Sequence, residues 1–143
     1  MPWENTFYIG TDLDPVYGDF APLEEWLLNK DIPVNPECVF SPFSAVYDTG
    51  NGGRAGVGFP RAAWSWQHRQ SEHVEVFQTL CPGLSAQVYI RTQTNTVENG
   101  SLIWRTYLCQ MLMPPEDIDF NTNQAMGFTI EFRKLVVQTE LYP

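Results

Sequence analysis

Apolar side chains recur at every second position in the C-terminal third of the chain. Along residues 126–138, Phe128, Ile130 and Phe132 alternate with polar or charged neighbours, and residues 101–113 divide into two faces in the same way. Successive side chains of a strand point to opposite faces of a sheet, so this spacing predicts two β-strands. The chain must therefore build a sheet in which these strands lie against a core.

Upstream segments add three more strands and two helices. Trp64 and Trp66 lie two positions apart, which places them on one face of a strand. A helix beginning at Ser71 ends at Cys81-Pro82-Gly83, because proline and glycine terminate helices. The predicted elements are strands over residues 43–47, 61–67 and 87–92 and helices over residues 22–30 and 71–81.

The element order β-β-α-β-β-β predicts a mainly β (α+β) fold. We expect an antiparallel β-sandwich or barrel with one flanking helix and a proline-rich N-terminal arm that carries a short helix. All 143 residues form a single domain in this interpretation. Residues 1–42 are the arm, and residues 43–143 are the β core.

The chain is acidic, and the acids are concentrated near its beginning. The formal net charge is −9, and the first fifty residues hold nine acids against one base. Such a surface repels phosphate, which disfavours tight nucleic-acid binding but suits a surface past which DNA slides.

Three widely spaced cysteines without a C-x-x-C motif predict core thiols in a reducing compartment. The N-terminal residues lack the pattern of a signal peptide, and no apolar run is long enough to span a bilayer. We expect a protein of the cytoplasm, or of a particle assembled there.

Candidate catalytic and metal-binding patterns each lack a required part. Residues 12–19 resemble the start of a calcium loop, but Val16 stands where a third oxygen ligand is needed. His68 and His73 are five apart, whereas helical metal ligands recur at i and i+4. Cys81 stands at a helix end, where the dipole disfavours a thiolate. The sequence predicts no catalytic residue, no metal and no cofactor.

A glycine-rich segment joins two of the predicted strands. Residues 49–58 hold five glycines, and Asn51-Gly52 is a strong turn signal. The segment leads into a strand and not into a helix, so it offers no helix N-terminus to a phosphate. It predicts the tip of a long hairpin, which either orders against a neighbour or is a solvated loop.

Taken in order, these segments resemble a known family. They are the hairpin "TGNGGRAGVGFPRAAWSWQ", the helix "SEHVEVFQTLCPG" and the strands "AQVYIRTQT", "GSLIWRTYLCQMLMPPED" and "GFTIEFRKLVVQ". The layout is similar to the tail-tube family of tailed-bacteriophage virion proteins. The resemblance implies a small β-sandwich flanked by a helix, in subunits that form stacked hexameric rings around an acidic lumen for DNA.

The resemblance also implies partners and contact residues. The chain would be a structural subunit in the virion tail that binds copies of itself and other tail proteins, with DNA as a transient passenger. Two groups of residues would contact neighbouring subunits: the hairpin tip (Gly50, Asn51, Gly52, Gly53, Arg54, Gly56, Gly58) and the arm (Trp3, Trp26, Leu27).

Two alternatives remain open at this point. The first is a neck or tail-terminator subunit, which would form a single ring. The second is a small cytoplasmic enzyme or ligand-binding β domain with a pocket near His68, His73 and Cys81.

Overall fold

The computed structural model describes residues 5–14, 17–27, 35–113 and 124–138, and for residues 67–72 and 124–126 it describes the backbone alone. These residues form nine strands and two helices. The strands are β1 (Tyr8–Gly10), β2 (Ala21–Pro22), β3 (Glu37–Ser41), β4 (Ala45–Asp48), β5 (Arg54–Val57), β6 (Arg61–Gln70), β7 (Ser85–Glu98), β8 (Ser101–Leu112) and β9 (Gln124–Val137); the helices are α1 (Leu23–Trp26) and α2 (Ser71–Leu80).

Seven strands form one sheet in the order β2-β1-β7-β8-β9-β6-β3, and β4 and β5 form a separate two-stranded ribbon. Every described pairing is antiparallel. The prediction of a mainly β, antiparallel fold with a flanking helix is therefore confirmed.

Alternate residues of the long strands build the core on one face of the sheet. Trp64 pairs with Ile130 across β6 and β9, and Val88 pairs with Cys109 across β7 and β8. All four side chains are buried. Helix α2 covers one end of this core through Phe77, whose ring packs against those of Trp66 and Phe128. The alternation of apolar and polar residues along these strands therefore predicts correctly which of their side chains are buried.

The sheet curves until its edge strand β3 returns to β7. The Cys38 Sγ lies 3.2 Å from the Thr92 Oγ1, and the Trp64 indole donates a hydrogen bond of 3.0 Å to the same hydroxyl. Thr92 is fully buried, so these contacts lie inside the curved sheet.

The N-terminal segment is part of the sheet and not an arm laid upon it. β1 pairs with β7, β2 pairs with β1, and Phe7, Ile9 and Leu23 are buried in the core. The predicted division into an arm of residues 1–42 and a core of residues 43–143 does not match this arrangement. The missed strands are only two to five residues long, and tertiary pairing creates them.

Two other boundaries differ from the prediction. The short helix spans Leu23–Trp26 and not residues 22–30, of which residues 28–30 lie outside the described part. Strand β4 pairs with β5, whereas β6 pairs with β3 and β9, so the glycine-rich segment is itself partly a strand.

The register gives the sheet two distinct ends. One carries the β4–β5 ribbon and the β7–β8 turn, and we call it the hairpin end. The other carries α2 and residues 11–14 and 17–20, which lie between β1 and β2 in the chain, and we call it the helix end. Within the described residues, no helix has the length and apolarity needed to cross a membrane.

Candidate functional site

A two-stranded ribbon projects from the sheet at the hairpin end. Strands β3 and β6 continue into β4 and β5, and the ribbon begins where the Ser44 amide donates to the Val57 carbonyl at 3.0 Å. Pro42 and Pro60 flank this point, and proline interrupts the ladder because it has no amide hydrogen. We call residues 43–59 the hairpin arm.

The tip of the hairpin arm is closed by local hydrogen bonds. The Thr49 amide donates to the Gly53 carbonyl at 2.8 Å, and the Gly52 amide donates to the Thr49 carbonyl at 3.2 Å. Gly52 has a φ of 85°, which a residue with a Cβ rarely adopts. The exposed Arg54 and Asp48 form an ion pair of 3.2 Å across the strands.

Two glycines further along the arm are required for close packing. A Cβ at Gly56 would lie 2.2 Å from the ring of Phe43, and one at Gly58 would lie 2.8 Å from the Cβ of Ser44. Gly58 also has a φ of 83°. The glycine-rich composition therefore serves a folded ribbon, and the predicted loop over residues 49–58 is corrected to a turn followed by β5.

The hairpin arm exposes apolar side chains on both of its faces. Val46 and Tyr47 are neighbours in β4 and point to opposite faces, yet they are 57% and 53% exposed. Phe43, Val57 and Phe59 are also exposed. An isolated two-stranded ribbon is marginally stable in water, and exposed apolar patches mark interaction sites. The arm is therefore the strongest candidate for a contact surface.

The base of the arm is fixed to β9. The Leu135 amide donates to the Pro60 carbonyl at 3.1 Å, and the Leu135 side chain is buried. Lys134 has a φ of 56°, and its Nζ lies 5.5 Å from the centroid of the Phe59 ring. The register of β8 against β9 shifts nearby, which is the mark of a β-bulge. The bulge therefore lies beside the part of β9 that holds the base of the arm.

A second turn lies at the same end of the molecule. Asn99 and Gly100 both have positive φ values, 52° and 81°, as a two-residue type I′ hairpin requires. Strand β7 reaches Glu98, beyond the strand predicted over residues 87–92, so the turn is confined to these two residues. Val97 and Leu102 beside the turn are exposed and extend the apolar surface of the hairpin end.

The structure places the predicted contact residues in two different environments. Those of the glycine-rich hairpin lie together in the arm, and most of them are exposed. Leu27 is fully buried, and the Trp26 indole donates to the Ile9 carbonyl at 2.8 Å. Leu27 thus packs within its own chain and is not exposed for contact with a neighbour. Trp3 lies outside the described residues.

Sequence reasoning missed the apolar residues of the arm as contact candidates. Val46, Tyr47 and Val57 stand in ordinary strand-like segments, and nothing in their spacing distinguishes them from core residues. Only the separation of the ribbon from the main sheet leaves them in solvent.

Two of the three residues that were considered as possible catalytic residues or metal ligands are buried. His73 and Cys81 are each 1% exposed, and the side chain of His68 lies outside the description. Burial raises the pKa of the Cys38, Cys81 and Cys109 thiols, which keeps them protonated near neutral pH.

The acids of the loop at residues 11–20 hold its backbone. The Asp19 carboxylate accepts hydrogen bonds from the Thr11 amide at 2.6 Å and from the Asp12 amide at 2.9 Å. The Asp14 carboxylate accepts one from the Tyr17 amide at 3.2 Å. Among the described residues, no group of three or more His, Cys, Asp or Glu side chains could hold a metal ion.

A shallow groove of about 140 Å³ lies on the outer face of β3, β6 and β9. Val39, Ala63 and Arg61 are among the residues that line it. The nearby Arg133 is paired with Glu131 at 3.0 Å. The Ser41 hydroxyl donates to the Phe43 carbonyl at 2.8 Å, so it is committed to the backbone of the arm. The hydroxyl of Ser41 and the carboxylate of Glu131, which both line the groove, are thus each engaged in a local contact.

Comparison with known proteins identifies no relative of this chain. No family model matches the chain, and neither the curated proteins nor the solved structures compared with it give a match.

Proposed function

We propose that the chain is a structural subunit of a phage tail, in which copies assemble into hexameric rings that stack into the tube for DNA. The observation that carries this proposal is the hairpin arm, with apolar side chains exposed on both faces. Its partners are copies of itself and other tail proteins. It is located in the virion tail after assembly in the host cytoplasm.

The physical reason is that apolar side chains of the arm are less stable in water than in contact with another protein surface. Burying a valine side chain contributes roughly 1.5–3 kcal/mol relative to leaving it in water. The arm holds Val46 and Val57 together with three exposed aromatic rings, and the main sheet covers none of them fully. A neighbouring subunit that covered the ribbon would stabilise both the ribbon and the assembly. The net charge of −9 supports a passage through which DNA moves without binding.

The proposal predicts that the wild-type protein forms rings, and that small polar changes in the arm weaken them. Threonine has nearly the shape of valine and keeps the strand preference, so Val46→Thr and Val57→Thr remove apolar contact with little effect on the ribbon. We expect the double variant to assemble roughly tenfold more weakly by light scattering after gel filtration.

The matched control is Val39→Thr, which makes the same change at a 67% exposed valine of β3 outside the arm. It should assemble like the wild type. Stacked rings by negative-stain electron microscopy support the tube, whereas single unstacked rings favour a neck or terminator subunit. A wild-type protein that stays monomeric at high concentration overturns the proposal and favours the enzyme or ligand-binding alternative.

A further inference from the structure

The two faces of the hairpin arm differ in the side chains that they carry. Residues that pair directly across two strands share a face, and so do residues two positions apart along one strand. One face therefore consists of Ala45, Tyr47, Ala55 and Val57. Ala55 is half-buried, and the other three are exposed. We call these four uncharged residues the apolar face of the arm.

The opposite face is partly covered within the chain. It carries the pairs Val46↔Gly56 and Asp48↔Arg54. The Phe43 ring occupies the space that a Cβ on Gly56 would need, so this ring covers Gly56. The ion pair of Asp48 and Arg54 is exposed to water, and burying it in an interface would cost desolvation free energy. The apolar face is therefore the one that a partner covers with the smaller loss of hydration.

The large and small side chains of the apolar face lie on opposite diagonals. Val57 of β5 stands opposite Ala45, whereas Tyr47 of β4 stands opposite Ala55. If a second copy of the face is turned about a two-fold axis that runs along the strands, each large residue meets a small one. Tyr47 then lies against Ala55 of the second copy, and Val57 lies against Ala45. The face is thus complementary to itself in size, as a contact between two identical surfaces requires.

We infer that the apolar faces of the arms of two copies pack against each other across this two-fold axis. Neighbours within one ring are related by the axis of the ring and not by a two-fold axis, so the contact joins a subunit of one ring to a subunit of the next. This inference rests on the proposed self-assembly, and it names the surface through which rings join in pairs.

A single pair of arms provides only a weak contact. The apolar face has four residues, whereas a typical stable interface has about 20–30 residues on each side. In a ring, every subunit repeats the same contact, and linked contacts act together. We therefore expect the arms to join rings to each other and not to hold two isolated subunits together.

Two valines of the arm provide a matched pair of variants. Val57 belongs to the apolar face and is 45% exposed, whereas Val46 belongs to the opposite face and is 57% exposed. Threonine keeps the branched shape of valine at either position. We expect Val57→Thr to weaken association roughly fivefold to tenfold, because both copies lose an apolar contact, and Val46→Thr to associate like the wild type. Sedimentation velocity over a range of protein concentrations measures both.

A third variant tests the fit between the two faces. Ala55→Val adds apolar surface and favours the strand, but its larger side chain would meet Tyr47 of the second copy. We expect this variant to associate roughly tenfold more weakly than the wild type, because overpacking a close contact is destabilising. Apolar attraction without a specific fit would instead make it associate more tightly.

The outcomes separate this inference from the proposed function. If the wild type assembles and Val46→Thr weakens association as much as Val57→Thr, or Ala55→Val strengthens it, the packing of these faces is overturned while self-assembly stands. If the wild type is monomeric at every concentration, both are overturned. Circular dichroism of the three variants, matching that of the wild type, excludes a folding defect as the cause.

Discussion

At the scale of single residues, Thr92 joins three strands that are distant in the sequence. Its hydroxyl accepts from the Trp64 indole at 3.0 Å and lies 3.2 Å from the Cys38 sulfur. It thereby links β7 to β6 and to β3 inside the curved sheet. Since Thr92 and Trp64 are both fully buried, water cannot replace a lost partner.

We expect Thr92→Val to lower the free energy of unfolding by about 1–3 kcal/mol, because the Trp64 indole is left without this buried acceptor. Urea denaturation followed by tryptophan fluorescence measures the change. Combining Thr92→Val with Trp64→Phe should cost less than the sum of the two single changes, since the double variant has no orphaned donor. Strictly additive costs would show that the hydrogen bond does not couple the two residues.

The sequence predicted that the two tryptophans of β6 share one face but not which residues they contact. Trp64 and Trp66 were placed on one face by their spacing, and both are buried there. The partner of Trp64 depends on the curvature that brings β7 across the core, and alternation along one strand carries no information about curvature.

At the scale of elements, the Asp19 carboxylate binds Thr11 and Asp12 across the segment between β1 and β2. Burial acts to raise the pKa of Asp19, but hydrogen bonds from the Thr11 hydroxyl and from the Thr11 and Asp12 amides outweigh it and hold the pKa below its ordinary value. A carboxyl whose pKa is lowered on folding stabilises the protein above its unfolded pKa of about 3.9. That stabilisation is lost as the pH falls through the lower pKa of the folded state.

Asp19→Asn should therefore destabilise the protein by about 1 kcal/mol at pH 7, a modest value because the site is largely exposed to solvent. The difference from the wild type should shrink as the pH falls below about 3.9 and vanish below the folded-state pKa of Asp19. Thermal melting between pH 2.5 and pH 7 tests this. Glu24→Gln, at an exposed acid of α1, removes the same charge and should leave the melting temperature nearly unchanged. If the difference in melting temperature between Asp19→Asn and the wild type stays constant with pH, the charge of Asp19 does not have this stabilising role.

The sequence predicted the long strands β8 and β9 and the long helix α2, but it did not predict the short strands β2 and β5. Strands β8 and β9 and helix α2 are long enough for their periods to be unambiguous. Strand β5 contains Gly56, and the two-residue β2 ends in a proline, so local preference opposes both assignments. They are strands because β4 and β1 offer partners in register. The turn signal at Asn51-Gly52 located the hairpin turn correctly, but residues 54–57 of the predicted tip form a strand, and the exposure of the apolar residues beside the turn was not predicted.

At the scale of the whole molecule, the N-terminal segment closes the core of the curved sheet. The Phe7 ring meets those of Trp64 and Trp104 edge-on, with centroids 5.3 Å and 4.9 Å apart. Ile9 and Leu23 are buried in the same cluster. The proline-rich composition of residues 1–42 predicted an arm outside the β core, and the tail-subunit hypothesis had this arm contact a neighbour. Composition alone does not report where a segment packs.

These two interpretations predict different behaviour for a chain that begins at residue 35. Phe7, Ile9, Leu23 and Leu27 are each 5% exposed or less, and burying each contributes roughly 1.5–3 kcal/mol. Their sum is comparable to the total stability of a typical domain, about 5–15 kcal/mol. We therefore expect the shortened chain to lose its near-ultraviolet circular dichroism and to bind the dye ANS, as partly folded states with exposed apolar surface do.

Adding a peptide of residues 5–27 should restore the signal at a one-to-one ratio, because the peptide supplies the missing strands and the four apolar side chains. A shortened chain that keeps a cooperative unfolding transition, and loses only its ability to associate, would show instead that the segment serves neighbouring subunits.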